Sequence, residues 1–336
     1  MTKQKEGGIS WTEETWNPLR GCSRISKGCM NCYAEGIAHR FGGEGQPYEG
    51  LIASTGQWNG TVKFVPAKLV EPIRWKRPRL IFVNSMSDLF HESVPDHEID
   101  QIFGVMWACL GLDHTFQILT KRAKRMNNYF KTDRRDSWAR WAVHYGGGTD
   151  PDAIYDQVAY ADEPHPRIWL GVSAEDQATA DERIPYLLGT PAAVRWLSAE
   201  PLIGPLDIYG GDPDPRLDGH SSSNTYIGDW WEPTDNLNGP SRHGLDWVVV
   251  GGESGAGARP MSERWALSLR DQCAAADVPF HFKQWGEFAP NWLTDDEGNR
   301  IAGSEWADRM GKKIAGRELD GREWNEYPFG YTKGKA

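Results

Sequence analysis

The chain reads as an α/β protein built on a parallel (β/α) barrel of the TIM-like kind, full or partial, with two insertions. Three observations predict this. Seven short apolar runs alternate with helical stretches. The runs are continuously apolar, as strands covered on both faces are, and the alternation favours parallel pairing. Each run also ends in polar residues, and α/β barrels carry their chemistry at those strand ends. No G-x-G-x-x-G follows the first run, which argues against an open nucleotide-binding sheet. At 336 residues one barrel domain can take the whole chain, 1–336, with an irregular tail from about 288 to 336.

Taken in order, Thr15-Trp16-Asn17-Pro18 is the first run and leads into a cysteine-rich loop. Tyr33 to Phe41 reads as a short helix closed by Gly42-Gly43. A long connection follows, with a helix near Ala67 to Arg74. Leu80 to Asp88 is the second strand, polar at its end. In the helix from about Asp96 to Leu112, Ile99, Ile102, Phe103, Met106 and Leu110 recur near the helical period. Thr115 to Arg122 is the third strand, and a basic helix runs from it to about Phe130. Residues 131–166 break the rhythm with Trp138, Trp141, Tyr145 and Tyr155. They form an insertion, either a lid or nucleic-acid contact, or a segment that packs its tryptophans on the barrel flank. Arg167 to Asp176 is the fourth strand, before a helix near Thr179 to Leu188. Ala193 to Pro201 is the fifth. A second insertion, about 207–243, is rich in Gly, Pro, Asp, Ser and Asn. Asp246 to Ser254 is the sixth strand, Ser262 is placed to cap a helix reaching about Ala276, and Pro279 to Glu287 is the seventh.

The net charge of −10 argues against broad phosphate binding driven by counterion release and leaves a local basic groove open. Seventeen tryptophans serve either packing or ligand stacking. No apolar run reaches membrane-spanning length, and the polar start Met1-Thr2-Lys3-Gln4-Lys5-Glu6 is unlike a signal peptide. The expectation is a cytoplasmic protein with no membrane partner. Cys109 and Cys273 lie in apolar helical stretches and read as buried thiols.

Cys22, Cys29 and Cys32 share one loop, the last two as C-x-x-C. Three thiolates so close in sequence can converge on one site. A structural zinc site closes with four ligands, and His39 is the nearest candidate for the fourth. A four-iron cluster on three cysteines leaves one iron open to a small molecule. Spacing alone leaves both readings standing.

A cysteine loop after a first strand, followed by β/α units, resembles the radical S-adenosylmethionine superfamily. The usual motif there is C-x3-C-x2-C. This chain has C-x6-C-x2-C, with Asn31 where an aromatic residue commonly precedes the third cysteine and Tyr33 just after it. Over nearly the whole chain, an ordered set of motifs resembles the phage Gp37/Gp68 family (DUF5131). The set comprises Trp16-Asn17-Pro18, Ser85-Met86-Ser87-Asp88-Leu89-Phe90-His91, Leu119-Thr120-Lys121-Arg122, Trp169-Leu170-Gly171-Val172-Ser173, Ser198-Ala199-Glu200-Pro201-Leu202, Gly251-Gly252-Glu253-Ser254-Gly255 and Phe282-Lys283-Gln284-Trp285-Gly286. The tail Lys312-Lys313-Ile314-Ala315-Gly316-Arg317-Glu318-Leu319-Asp320-Gly321-Arg322 fits the same family, which is generally regarded as radical-SAM-like.

The resemblance implies that Cys22, Cys29 and Cys32 hold a [4Fe–4S] cluster, the metal centre and the seat of catalysis. Its free iron would bind S-adenosyl-L-methionine, and reductive cleavage would release a 5′-deoxyadenosyl radical. Ser87 and Asp88 lie where related enzymes meet the amino group, and Ser173 and Glu175 where they meet ribose or carboxylate. Gly251 and Gly252, with Glu253, would let backbone approach the adenine. Asp88 as a helix cap, a Glu175–Arg183 pair and plain turn glycines are the alternatives. Lys121 and Arg122, with Lys124 and Arg125, form a basic cluster for substrate or a solvated helix face. Glu200, Lys283, Gln284 and Trp285 are candidates to hold and stack a base.

The expected activity is rearrangement (isomerase-type), transferase-type modification or C–H functionalisation of a nucleobase or base substituent in phage DNA hypermodification. An electron donor of flavodoxin or ferredoxin type and DNA or a modified nucleotide would be the partners, in the host cytoplasm if phage encoded. A zinc-stabilised nucleic-acid-binding protein without catalysis is the alternative from another class. Hydrolytic base repair with Asp88 and Glu200 as acid and base ranks last, since it leaves the cysteines without a purpose.

Overall fold

The computed structural model describes residues 9–147, 150–162, 164–209, 226–227, 244–290, 293–294, 300–301, 307–328 and 331. Seven strands lie side by side in chain order: β1 (Glu14–Trp16), β2 (Leu80–Val83), β3 (Thr115–Thr120), β4 (Ile168–Ser173), β5 (Val194–Ala199), β6 (Trp247–Gly251) and β7 (Phe280–Gln284). Every neighbouring pair is parallel. The sheet curls into a half-barrel with β1 and β7 at its two edges. Strands β2 to β7 fall inside the apolar runs expected for them, β1 starts one residue before its run, and the barrel is the partial form.

Seven helices matter here: α1 (Tyr33–Arg40), α2 (Asp96–Ala108), α3 (Ala123–Phe130), α4 (Arg135–Gly146), α5 (Pro151–Ala159), α6 (Gln177–Leu188) and α7 (Glu263–Ala275). A reciprocal capping box between Asp176 and Thr179 starts α6. Ser262 stands at the N-cap of α7, but its side chain makes no capping hydrogen bond. Cys109 and Cys273 are buried free thiols.

Both faces of the sheet are apolar, because successive strand residues point to opposite sides. Ile81, Val83, Phe116, Ile118, Leu170, Val172, Val248 and Val250 join the main core. Alternate residues Leu80, Phe82, Trp169, Trp196, Trp247 and Val249 join Trp11 in a second cluster, which fills the concave side. The Trp196 ring lies 5.2 Å from Trp11 and 5.3 Å from Trp247. Gly171 makes room for it, since a Cβ there would meet the Trp196 ring at 2.4 Å. These tryptophans are a packed plug. Burying each such side chain is worth about 1.5–3 kcal/mol.

The first insertion forms α4 and α5 and packs on the flank of the half-barrel. Trp138 stacks on Phe103 of α2 at 4.9 Å, and Ser137 Oγ donates to Asp100 at 2.8 Å. Gly104 lets the helices cross closely, because a Cβ there would meet Trp141 at 2.3 Å. The lid expectation therefore gives way to flank packing. Most of the second insertion, 210–225 and 228–243, lies outside the described residues. The tail returns along the edge strand β7: Phe282 N donates to Trp324 O at 3.0 Å, and His281 bridges Asn325. That covers an edge that would otherwise offer unpaired backbone groups. Among the described residues no helix is long and apolar enough to cross a membrane.

Candidate functional site

A cleft of about 250 Å³ opens above the tryptophan plug, with Trp11, Phe82 and Leu119 in its floor. Every strand of the half-barrel delivers residues to it from its C-terminal end: Cys22 beyond β1, Ser87 and Asp88 beyond β2, Lys121 and Arg122 beyond β3, Ser173 on β4, Glu200 beyond β5, Gly252 and Glu253 beyond β6, and Lys283 on β7. A larger cavity, about 450 Å³, lies on the flank between α2 and the first insertion. None of the strand-end residues reaches it, so the smaller cleft is the candidate site.

Cys22, Cys29 and Cys32 all line this cleft as free thiols. Burial, reinforced by the Asp88 charge, pushes the Cys22 thiol up to about 12, and burial raises Cys32 as well. Such thiols stay protonated at neutral pH unless a metal takes them, since coordination removes the proton outright. Among the described residues no three His, Cys, Asp or Glu side chains gather closely enough to hold a single ion. His39 sits exposed on α1 and does not line the cleft. A closed zinc site needs four ligands around one point. A cluster instead spreads its thiolates over separate irons and can leave one iron open; three cysteines on one loop at the cleft are the number such a cluster takes.

The loop that carries the cysteines has one turn of 3-10 helix, Lys27–Cys29, and is otherwise irregular. Two buried carboxylates hold it. Ser26 Oγ donates to Glu175 Oε1 at 2.7 Å. Gly28 packs so near the same oxygen that a Cβ would lie 2.2 Å from it. Glu175 also pairs with Lys121 Nζ at 2.9 Å and Arg183 Nη1 at 3.1 Å. Burial would raise its pKa, but these two cations and Ser26 outweigh it and hold the carboxyl down at about 2. On the other side, Asn31 Nδ2 donates to Glu253 Oε2 at 3.0 Å and to Gly257 O at 2.7 Å. Arg259 grips both Glu253 oxygens, at 2.7 and 2.9 Å, and reaches Lys27 O at 2.9 Å. Burial works against ionisation of Glu253, yet the Arg259 and Asn31 hydrogen bonds leave its pKa lowered. Arg24 ties the loop to Glu35 of α1 at 2.9 Å. The long first gap between cysteines is thus a bracket pinned to the ends of β4 and β6.

Several site expectations change in this light. Asp88 accepts from Phe90 N at 3.0 Å, Thr120 Oγ1 at 2.7 Å, Lys121 N at 3.1 Å and Arg122 Nη1 at 3.1 Å. Four donors use up a carboxylate's acceptor sites, so in this structure Asp88 joins β2 to β3 at the edge of the cleft. Ser87 Oγ donates to Leu19 O at 3.1 Å. Ser173 Oγ donates to Glu200 O at 3.0 Å and accepts from Lys121 Nζ. Glu175 makes the Arg183 pair. A Cβ on Gly251 would fall 2.5 Å from Glu200 Oε1, and one on Gly252 would fall 1.9 Å from Trp285 O. Along the Cβ direction the chain itself fills the space these glycines free, while Gly252 also lines the cleft.

The basic cluster splits. Arg125 pairs with Asp96 on the flank and Lys124 is exposed, while Lys121 and Arg122 turn into the cleft. Arg122 Nη2 donates to Ser23 Oγ at 2.8 Å, Nε to Glu92 at 2.8 Å, and Nη1 approaches Cys22 Sγ at 3.8 Å. Lys283 and Glu200 face each other at 3.1 Å. Gln284 is turned to Ser254 Oγ at 2.9 Å. Trp285 is 1 % exposed, its ring edge-on to Phe282 at 4.8 Å and its Nε1 donating to Glu318 O at 2.8 Å. It offers the cleft no stacking face. Ser26 and Arg259 carry no local signal of their roles. Asn31 does carry one, as a polar residue between two cysteines where an aromatic is usual.

The fold and cleft define a parallel half-barrel protein with a thiol-bearing loop at its mouth. A family model described as a protein of unknown function (DUF5131) matches residues 6–328, and the chain belongs to that family. No curated protein and no solved structure gives a match.

Proposed function

We propose that the chain is a radical S-adenosylmethionine enzyme, with Cys22, Cys29 and Cys32 holding a [4Fe–4S] cluster and the adjoining cleft taking S-adenosylmethionine and substrate. One observation carries the reading: three free thiols of a single loop line the cleft into which all seven strand ends open. Bound there, the cluster and S-adenosylmethionine would supply one-electron sulfonium cleavage and a 5′-deoxyadenosyl radical able to take hydrogen from an unactivated carbon. The residues of the chain supply the setting. The tryptophan plug closes the cleft from below and keeps water from that side. Glu175 and Glu253 hold the cysteine loop. Lys283 and Glu200, at the cleft and outside the loop bracket, would orient the substrate.

For the substrate we propose a nucleobase or base substituent, modified by rearrangement or C–H functionalisation in phage DNA. The pairing of charge supports an uncharged ring at the cleft. Lys121 pairs with Glu175, Arg122 with Asp88 and Lys283 with Glu200, so no bare cation calls for a phosphate among them. The test is anaerobic reconstitution with iron and sulfide, then reduction in the presence of S-adenosylmethionine. The expected results are a brown protein and 5′-deoxyadenosine, both lost in Cys29→Ala. Stoichiometric zinc without 5′-deoxyadenosine would return the protein to the non-catalytic class.

A further inference from the structure

Nine large hydrophobic side chains are exposed among the described residues, and five of them fall within residues 25–41. Ile25 and Met30 flank Cys29 in the loop, and Tyr33 and Ile37 of α1 and Phe41 at its C-cap follow at steps of four. Side chains four apart share one helix face, so the last three form a stripe. It starts at the mouth of the cleft, where Tyr33 lines the opening and its hydroxyl donates to Ser85 O at 2.8 Å. These five side chains are 40–55 % exposed.

Charge on this segment runs against the rest of the molecule. Residues 21–43 carry Arg24, Lys27 and Arg40, all exposed; Glu35 is buried against Arg24, which leaves Lys27 and Arg40 as the free cations there among the described residues, with the exposed Glu44 just beyond. The chain as a whole has a net charge of −10. An apolar stripe rimmed by cations on an otherwise acidic protein suits an acidic partner. The patch also lies on the segment that holds Cys29 and Cys32.

We infer that the stripe Tyr33, Ile37 and Phe41, with Met30 and Ile25, is the docking face for a small acidic one-electron carrier protein. This rests on the cluster reading above and names the surface through which that cluster is reduced. The carrier gives up one electron and is oxidised by one; the cluster takes it and is reduced by one. The apolar centre supplies contact area, and the cationic rim steers the encounter and weakens as salt screens it.

The experiment uses the reconstituted full chain, reduced flavodoxin as the carrier probe and dithionite as a reductant that needs no docking. Ile37→Glu/Phe41→Glu changes two exposed side chains. Folding is checked by circular dichroism, and Ile37→Ala/Phe41→Ala serves as a milder second variant. Cluster reduction is followed by electron paramagnetic resonance, and flavodoxin binding to the metal-free chain by interferometry. The expected result is at least a tenfold loss of flavodoxin-driven reduction and of binding in the Glu variant, a smaller loss in the Ala variant, and unchanged reduction by dithionite. Equal flavodoxin-driven rates in variant and unsubstituted chain overturn the docking face alone. A dimer of the unsubstituted chain that the Glu variant makes monomeric also overturns it, because a second copy then covers the stripe. Failure of dithionite to reduce any cluster in the unsubstituted chain overturns the cluster reading and the inference with it.

Discussion

Ser26 Oγ donates a 2.7 Å hydrogen bond to Glu175 Oε1, joining the cysteine loop to the end of β4 across 149 residues of chain. Glu175 is fully buried and also receives Lys121 and Arg183. A carboxylate held that firmly cannot yield to a new neighbour. Gly28→Ala places a Cβ 2.2 Å from it. Overpacking of this kind costs about 1–3 kcal/mol. The expected outcome is a lowered thermal midpoint and, after anaerobic reconstitution, clearly less iron per chain. Unchanged iron content in Gly28→Ala would show that the loop does not depend on this contact.

The same carboxylate gives a pH signature. Its folded-state pKa is held at about 2, below its ordinary 4.5, despite burial, because Lys121, Arg183 and Ser26 favour the ionised form. The group is depressed, so its stabilisation is present in full above 4.5 and is lost as pH falls towards 2. The size is on the order of 3 kcal/mol. Glu175→Gln strands two cations and destabilises the chain at neutral pH by about 3–5 kcal/mol. The gap between variant and unsubstituted protein should then narrow as acid removes the Glu175 charge. Urea denaturation at stepped pH values measures it, and a gap that stays constant down to the acid limit contradicts the ion-paired geometry.

Strand order was legible because each strand is a continuous apolar run with a polar end. Leu80–Val83 and Trp247–Gly251 are buried along their whole length, which only a sheet covered on both faces allows. The cysteines were legible from spacing. What local sequence does not carry is where a polar end points. Lys283 and Trp285 are two apart and would share a face in a regular strand, but β7 ends at Gln284 and the chain turns at Gly286, whose φ is +88°. Lys283 therefore faces the cleft and Trp285 packs in the core. The partners Asn31 and Glu253 are 222 residues apart, and no pattern within a helix or strand links them.

Arg122 approaches Cys22 Sγ at 3.8 Å while Ser23 and Asp88 anchor its guanidinium. On the cluster reading, a buried cation beside a ligand sulfur favours the more negative, reduced state, since charge and hydrogen bonds at the sulfurs set the potential. Arg122→Gln should lower the potential, and Arg122→Lys should restore most of it. A tenfold fall in the reduced-to-oxidised ratio at fixed poise corresponds to about 59 mV for one electron. Redox titration followed by electron paramagnetic resonance reads the shift. A structural role alone would lower the amount of cluster and leave the potential of what forms unchanged.

Lys283 and Trp285 should part company when each is truncated. Lys283 pairs with Glu200 at 3.1 Å. The two side chains are only 18 % and 13 % exposed, so Lys283→Ala leaves a largely buried carboxylate without its cation and should lower the melting midpoint moderately, by less than Trp285→Ala. On the proposed radical S-adenosylmethionine reading, its position at the cleft predicts a loss in product formation with a smaller loss in uncoupled 5′-deoxyadenosine release, since Lys283 lies outside the cysteine-loop bracket. Trp285→Ala removes a buried ring that packs on Phe282 and donates to Glu318 O. Emptying such a site costs about 3–5 kcal/mol, so this variant should melt early and lose cluster and substrate binding together. A stable Trp285→Ala protein that keeps its cluster and fails only to bind single-stranded DNA would place the indole at the cleft after all.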